Sequence, residues 1–236
     1  MTWNVGETRM LIEKAFGRDQ LLLARPCLKS VIDRQDHARY HYQEAIALLD
    51  AFKQKYLSVR PLLDVVFAKE RQDRLAFDTL MTKIGANTIA CIQSIHSIAD
   101  ILAHVMYFAL GINRANAMKE RAVSVNSVYM RLMADERFTE LGKALHALAT
   151  EGQAAHLCAL ANYGKHRSIV EPLMSEDCTG LRLEKHEVRI SSFKYQGAVY
   201  PEIAVEQLLE PEYARCSTIT VVAGERLNRV LSTFVP

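Results

Sequence analysis

The sequence predicts a mainly all-α fold: a helical bundle with long antiparallel helices, followed by a small C-terminal β-hairpin and a terminal helix. Apolar residues recur at helical spacing over most of the chain up to about Val170. Near Gly180 the pattern changes to the alternation that is typical of a strand, and helical spacing returns for residues 219–234. We therefore expect a helical bundle domain over residues 1–175 and a small α+β appendage over residues 181–236.

Composition limits the class of protein. The chain has 236 residues, of which 50% are hydrophobic and 24% charged, as in a soluble globular protein that buries a sizeable core. The net charge of +2 is too near balance to indicate nucleic acid or a membrane, so any basic site must be local. The 5 cysteines are widely spaced and form no CxxC pair. This pattern fits a reducing cytosol, and we expect a cytoplasmic protein without a metal or another cofactor.

The first half of the chain predicts two long helical stretches. Residues 33–57 show apolar side chains at helical spacing with charged residues between them. Pro61 then marks a break or a new start. A second stretch covers residues 62–110, either continuous or bent near Gly85, and Gly111 follows its last apolar turn as a C-cap.

The most apolar segment, residues 89–112, is long enough to span a membrane. It contains Gln93, His96, Asp100 and His104, however, and an aspartate near the bilayer centre costs about 2.5–3.5 kcal/mol on insertion scales. A buried helix in a soluble bundle is therefore favoured over a membrane span. Because the segment is apolar on nearly all sides, its own bundle encloses it or a partner completes it, and we predict a two-fold homodimer.

The second half predicts shorter elements. Residues 113–125 form a polar connection, and helical spacing resumes over residues 127–133 and 137–165, with an interruption at Gly152. Pro172 and the following polar stretch end the helical part.

The tail predicts a hairpin and a helix. The alternation involves Leu181, Leu183, Val188 and Ile190, and residues 195–198 (YQGA) offer a turn. Apolar residues at helical intervals over residues 219–234 then predict the terminal helix.

One set of candidate site residues lies on the long apolar helix. His96, Asp100 and His104 are spaced by four and share a helical face, where two imidazoles and a carboxylate can ligate a transition metal. The same spacing also gives hydrogen bonds in a buried bundle. No paired Glu-x-x-His and no HExxH occurs, which favours a buried polar network over a metal site, with a substrate-facing patch as the alternative. His146 and His156 are expected to be structural.

The second candidate is the segment ANYGKHRS, residues 161–168, at a helix end. Asn162 and His166 are four apart, so the amide can orient the imidazole, and Lys165 and Arg167 flank that face. Arg167 can hold a phosphate bidentately, which predicts a site for an anion or a phosphodiester if this end lies in a groove. Cations in a last turn also complement the helix dipole, which is the structural alternative. GxGxxG, GxxxxGK[ST] and GxSxG are missing, and basic residues are not interleaved with aromatic ones.

The same segment resembles the HEPN domain, a helical module of bacterial toxin, antiviral and RNA-processing proteins. The motif of that family is Arg, a polar residue that is often Asn, three variable residues and His, on a late helix. Asn162 and His166 match the polar and His positions, whereas Ala161 stands where the family has Arg. The resemblance covers residues 33–170 in architecture. It implies a dimer in which residues of both protomers act on RNA without metal, and the missing Arg implies a non-catalytic or altered version.

Three functions follow as hypotheses. The first is a HEPN-like protein that binds RNA or another phosphate-bearing ligand at residues 162–167, with His166 as acid/base and Lys165 and Arg167 as phosphate contacts. Degenerate or altered ribonuclease activity is part of this hypothesis, and the sequence leaves open whether the protein is an enzyme. The second is a non-catalytic helical interaction protein. The third is a small-molecule or metal binder at the His96, Asp100 and His104 positions.

Overall fold

A computed structural model describes residues 2–115 and 117–235 of the chain, which contain nine α-helices and five short strands. The helices are α1 Val5–Phe16, α2 Arg18–Phe52, α3 Leu62–Val66, α4 Arg71–Ala109, α5 Ile112–Ala115, α6 Val125–Met133, α7 Thr139–Thr150, α8 Ala154–His166 and α9 Val205–Ser232. The strands are β1 Pro172–Glu176, β2 His186–Ile190, β3 Phe193–Tyr195, β4 Ala198–Tyr200 and β5 Ile203–Ala204. A π-helical turn, Lys53–Leu57, extends α2, and 3₁₀ turns cover Glu120–Ala122 and Glu136–Phe138. The predicted mainly all-α fold is confirmed.

The helix breaks follow local signals in the sequence. Pro61 stands directly before α3, and its φ of −62° suits the entry to a helix. Gly111 and Gly152 have φ of 65° and 61°, a left-handed conformation that favours glycine, and they follow α4 and separate α7 from α8. Gly85 lies inside α4, which runs without interruption there, but the stretch predicted over residues 62–110 is divided by residues 67–70 into α3 and α4.

The terminal helix is longer than the spacing predicts. Expected over residues 219–234, α9 begins at Val205 and contains Pro211. The buried positions of its first half include Leu208, Glu212 and Cys216, spaced by four. Because a glutamate occupies one of these core positions, the apolar period is masked in the sequence.

Two small sheets follow α8. The strands β1, β2 and β5 form an antiparallel sheet in that order, with Ser175 opposite Glu187 and Arg189 opposite Ala204. The strands β3 and β4 form the predicted hairpin, whose turn residues Gln196 and Gly197 both have positive φ, as a type I′ turn requires.

The loop between β1 and β2 differs from the prediction. Leu181 and Leu183, expected in a strand, are fully exposed in this loop. The carboxylate of Asp177 orders the loop by accepting hydrogen bonds from Thr179 and from the backbone N–H of Arg182, at 2.6–2.9 Å. These bonds, first of all the one from the Thr179 hydroxyl, hold the pKa of Asp177 well below its usual range.

The chain forms two compact units, each built from separate segments. The first comprises Met1–Asp36, Ser94–Ala155 and Glu212–Pro236, and the second comprises His37–Gln93 and His156–Pro211. Fully buried side chains of the first unit include Ile12, Leu28, Ile98, Leu102, Met106, Leu132, Leu141 and Leu145, and those of the second include Leu49, Ile84, Ile190 and Leu208. The units do not follow the predicted division into residues 1–175 and 181–236, because α2, α4 and α9 each contribute to both.

Helix α4 is the one described helix that is long and apolar enough to cross a membrane, with a mean hydropathy of 1.4 over 18 residues. Half of that window is buried inside the fold. The buried half of the window agrees with the buried bundle helix that the sequence favours.

Candidate nucleic-acid interface

The C-terminal end of α8 presents a group of polar side chains to solvent. Lys165, His166 and Arg167 are exposed, and Asn162 is half-buried. The backbone N–H of Arg167 donates to the carbonyl of Tyr163 at 2.9 Å and closes the last turn. Cations at this position complement the partial negative charge of the last carbonyls, so helix electrostatics alone account for one lysine or arginine here.

Arg167 also contacts an aromatic ring. Its guanidinium carbon lies 5.9 Å from the centre of the Tyr163 ring, a cation–π distance. Tyr163 in turn meets Phe193 and Tyr195 of the hairpin edge to face, with ring centres 5.5 Å and 6.1 Å apart. We call Tyr163, Lys165, His166, Arg167 and Tyr195 the α8–hairpin surface.

The residues of this surface lie far apart in the sequence, so no single segment of the chain contains them all. Tyr163 lies on α8 and Tyr195 on β3, and the fold brings them together. Phe193 and Tyr195 share one face of their strand by alternation, while Lys194 points to the other face. A strand carrying aromatic residues two positions apart was the signal that could have revealed the surface.

A buried histidine closes the ring cluster on its inner side. The His156 ring lies 5.7 Å from Phe193 and 5.3 Å from Tyr200, and these last two rings stack at 5.0 Å. His156 is 5% exposed, and its Nε2 atom has no hydrogen-bond partner within the described chain. Burial lowers the pKa of His156, which keeps the imidazole neutral in the core.

The expected hydrogen bond between Asn162 and His166 is not formed among the described residues. The side-chain amide of Asn162 donates instead to Sγ of Cys158, one turn earlier, at 3.3 Å. Side chains on a helix lean toward its N-terminus, so the amide reaches back rather than forward. The imidazole of His166 is therefore exposed without an orienting amide from Asn162.

Ala161, at the position of the Arg in the HEPN motif, faces the interior. It is 2% exposed and lines an apolar cavity of about 110 Å³ together with Ile89, Ile92 and Ile169. An arginine at this position would place its guanidinium among aliphatic side chains, at a high desolvation cost. The departure from the motif is thus part of how α8 packs.

The His96, Asp100 and His104 series does not converge on a ligand. Asp100 is exposed, and its Oδ1 atom accepts from the backbone N–H of Val125 at 3.4 Å, at the start of α6. The Nδ1 atom of His104 lies 2.8 Å from the backbone carbonyl of Asp100. Across residues 2–115 and 117–235, no group of three His, Cys, Asp or Glu side chains could hold a metal ion.

Comparison with protein-family models, with curated proteins and with solved structures finds no match for this chain.

Proposed function

We propose that the α8–hairpin surface binds single-stranded RNA. The observation that carries this proposal is the position of Arg167 over the Tyr163 ring, which itself contacts Tyr195. Proteins that hold single strands combine cations for the phosphates with aromatic rings on which bases stack. Lys165 and Arg167 supply the cations, and Tyr163 and Tyr195 supply partly exposed rings.

The preference for RNA comes from the HEPN resemblance and from the exposed imidazole of His166. In a cleaving enzyme, His166 would take the proton of the ribose 2′-hydroxyl as the 2′-oxygen attacks the neighbouring phosphorus. The bond from phosphorus to the 5′-oxygen would break, and the 5′-oxygen would leave with a proton taken from water. The charge that develops on the phosphate would have to be met by Lys165 or Arg167, because Ala161 replaces the motif arginine. We therefore expect binding to exceed turnover, as in a degenerate or altered ribonuclease.

A two-fold homodimer in the cytoplasm is part of the proposal. Val59 in the turn before Pro61, Leu63 in α3 and Phe67 directly after α3 expose 80%, 62% and 76% of their surface, and a second copy would cover these apolar side chains. Light scattering at micromolar concentration should give twice the 26.7 kDa of one chain. A monomeric mass would contradict the dimer but not RNA binding.

The same exposed apolar side chains favour a second candidate, a helical interaction protein without catalytic activity. In that case the exposed side chains at the end of α8 only contact solvent and complement the partial negative charge of the helix end. These side chains are Lys165, His166 and Arg167. The two candidates differ in whether RNA binding depends on these side chains.

Fluorescence anisotropy with a labelled single-stranded RNA tests the proposal. Lys165→Ala and Arg167→Ala should each weaken binding, most strongly at low salt, and reduce the slope of log affinity against log salt by about 0.7. Tyr195→Ala should weaken binding by roughly tenfold, the effect of one lost stacking contact. Duplex RNA should bind less tightly, because its bases are not available for stacking.

Lys194→Ala is the matched control, because it removes a cation from the opposite face of the same strand. It should bind RNA like the wild-type protein. Loss of affinity in Lys194→Ala equal to that in Arg167→Ala, or no binding by the wild-type protein, would refute the proposed surface.

A further inference from the structure

A second cationic site lies in the first unit, among residues that the proposed RNA surface does not use. A cavity of about 670 Å³ lies at the ends of α4, α6 and α9, and its charged lining residues are Arg114, Arg131, Asp135 and Arg137. Cavities of roughly 300–1,000 Å³ are typical of small-molecule sites. Its size and its charge both need explanation.

Three phenylalanine rings form part of the apolar lining of the cavity, beside Leu110 and Ile112. Phe16 and Phe234 meet edge to face with ring centres 5.7 Å apart, and Phe138 and Phe234 do so at 6.2 Å. The Cβ atom of any residue replacing Gly111 would lie 3.0 Å from the Phe16 ring, so glycine permits the close approach of this ring to the end of α4. The three rings form an apolar wall, and the guanidinium carbon of Arg137 lies 5.2 Å from the centre of the Phe138 ring and 5.8 Å from that of Phe234.

The cations differ in how much of their hydrogen-bonding capacity is already used. Arg137 forms bonds of 2.6–3.1 Å to both carboxylate oxygens of Asp135, which lower the pKa of that carboxyl group. Arg114 donates from Nη1 to the carbonyl of Phe16 at 3.1 Å. Arg131 is half-buried, and its guanidinium has no hydrogen bond or ion pair to any described residue. Arg131 is thus the cation left available to a ligand.

The charge balance indicates the ligand. Three arginines and one aspartate leave two net positive charges on the lining. A phosphomonoester carries about −1.5 to −2 at neutral pH, and its oxygens match the planar fork of a guanidinium. A carboxylate would neutralise only half of this charge, and inorganic phosphate would leave the aromatic wall unused.

We propose that this cavity binds an aromatic phosphomonoester, with the phosphate on Arg131 and Arg114 and the aromatic group against Phe138 and Phe234. The ligand is defined by this chemistry, which a nucleoside monophosphate and a simple aryl phosphate share. The site requires no RNA binding at the α8–hairpin surface, since its residues belong to a different unit.

Isothermal titration calorimetry with phenyl phosphate, adenosine 5′-monophosphate, inorganic phosphate and phenol tests the site on the full chain. Both organic phosphates should bind, and inorganic phosphate and phenol should each bind at least about tenfold more weakly, because each lacks one half of the recognised group. The tighter of the two organic phosphates identifies the source of the aromatic group. Inorganic phosphate binding as tightly as phenyl phosphate would overturn the aromatic half of the proposal.

Arg131→Ala should weaken phenyl phosphate binding by at least about tenfold. Its fold should be intact, since the Arg131 guanidinium has no hydrogen-bond or ion-pair partner among the described residues. Arg121→Ala is the control, because it removes an exposed arginine of the same unit outside the cavity lining, and it should bind phenyl phosphate like the wild-type protein.

Phe234→Ala should weaken the binding of phenyl phosphate and leave the weak binding of inorganic phosphate unchanged. No binding by the wild-type protein at millimolar concentration, or equal effects of Arg131→Ala and Arg121→Ala, would overturn the site.

Discussion

The α8–hairpin surface and the Glu212–Arg215 pair of α9 both concentrate charged side chains, but in opposite surroundings. On the surface, Lys165 and Arg167 are exposed, and Arg167 contacts the Tyr163 ring. Glu212 by contrast is 2% exposed and lies 2.8 Å from the guanidinium of Arg215. The comparison separates charges that hold the fold from charges that remain available to a ligand.

The buried pair uses its hydrogen-bonding capacity within the chain. Arg215 donates to the carbonyls of Ala147 and Leu148, which end α7, at 2.8 Å and 3.1 Å. Glu212 accepts from the backbone N–H of Gln153 at 2.6 Å, just before α8. The pair therefore satisfies backbone groups where one helix ends and the next begins, and it has little left to offer a ligand.

The largest expected effect on stability is that of breaking this pair. Arg215→Ala leaves Glu212 buried without its counter-charge and removes the donors to α7, and it should reduce the free energy of unfolding by about 3–5 kcal/mol. Urea denaturation followed by circular dichroism measures this loss. Arg229→Ala, an exposed arginine on the same helix, should change stability by less than about 0.5 kcal/mol. Equal stability of the two variants would show that the buried pair contributes no more to the stability of the fold than an exposed arginine does.

Two glycine substitutions test the same comparison and have the next largest expected effect on stability. A Cβ atom at Gly152 would lie 2.5 Å from Oε1 of Glu212, and the residue has a φ of 61°. Gly152→Ala should therefore cost about 2 kcal/mol or more. A Cβ atom at Gly164, inside α8, would meet nothing within 4 Å. Gly164→Ala should raise stability by up to about 1 kcal/mol. Thermal unfolding of both variants measures the opposite signs, and destabilisation by both would show that the end of α8 is packed rather than open.

The pH dependence of stability tests the inner side of the ring cluster. Burial lowers the folded-state pKa of His156, so the unfolded chain binds a proton more readily. The neutral imidazole therefore contributes fully to the free energy of unfolding at pH values above its unfolded-state pKa of about 6.5. This contribution is lost as the pH falls below that pKa. His156→Phe keeps a ring against Phe193 and Tyr200 and should weaken this decline in unfolding free energy between pH 7 and pH 5. His166→Ala should leave the decline in place, and an unchanged decline in His156→Phe would show that His156 is not its source.

The sequence predicted those features that depend on neighbouring residues. Gly111 and Gly152 end helices because their backbone needs a positive φ, and the hairpin follows from Gln196 and Gly197. The start of α9 was missed because Glu212 is stabilised in the core by Arg215, a compensation that the apolar period does not show.

The candidate site was predictable only in part. The segment of residues 161–168 stands out because four polar side chains follow an apolar helix. The partner of Asn162, the burial of Ala161 and the contact of Tyr163 with Tyr195 depend on packing between distant parts of the chain. These contacts change the predicted site from an oriented histidine into a surface of cations and rings.

The proposed RNA surface requires that the exposed polar side chains at the end of α8 bind a ligand rather than stabilise the fold, and the variant His166→Ala tests this requirement. Melting temperature, RNA affinity and RNA cleavage should be measured on the wild-type protein and on this variant in parallel. We expect the wild-type protein to bind single-stranded RNA. The His166→Ala variant should melt at nearly the same temperature, bind RNA more weakly and lose any cleavage activity. No RNA binding by the wild-type protein, or an RNA affinity that is unchanged in His166→Ala, would contradict the proposal.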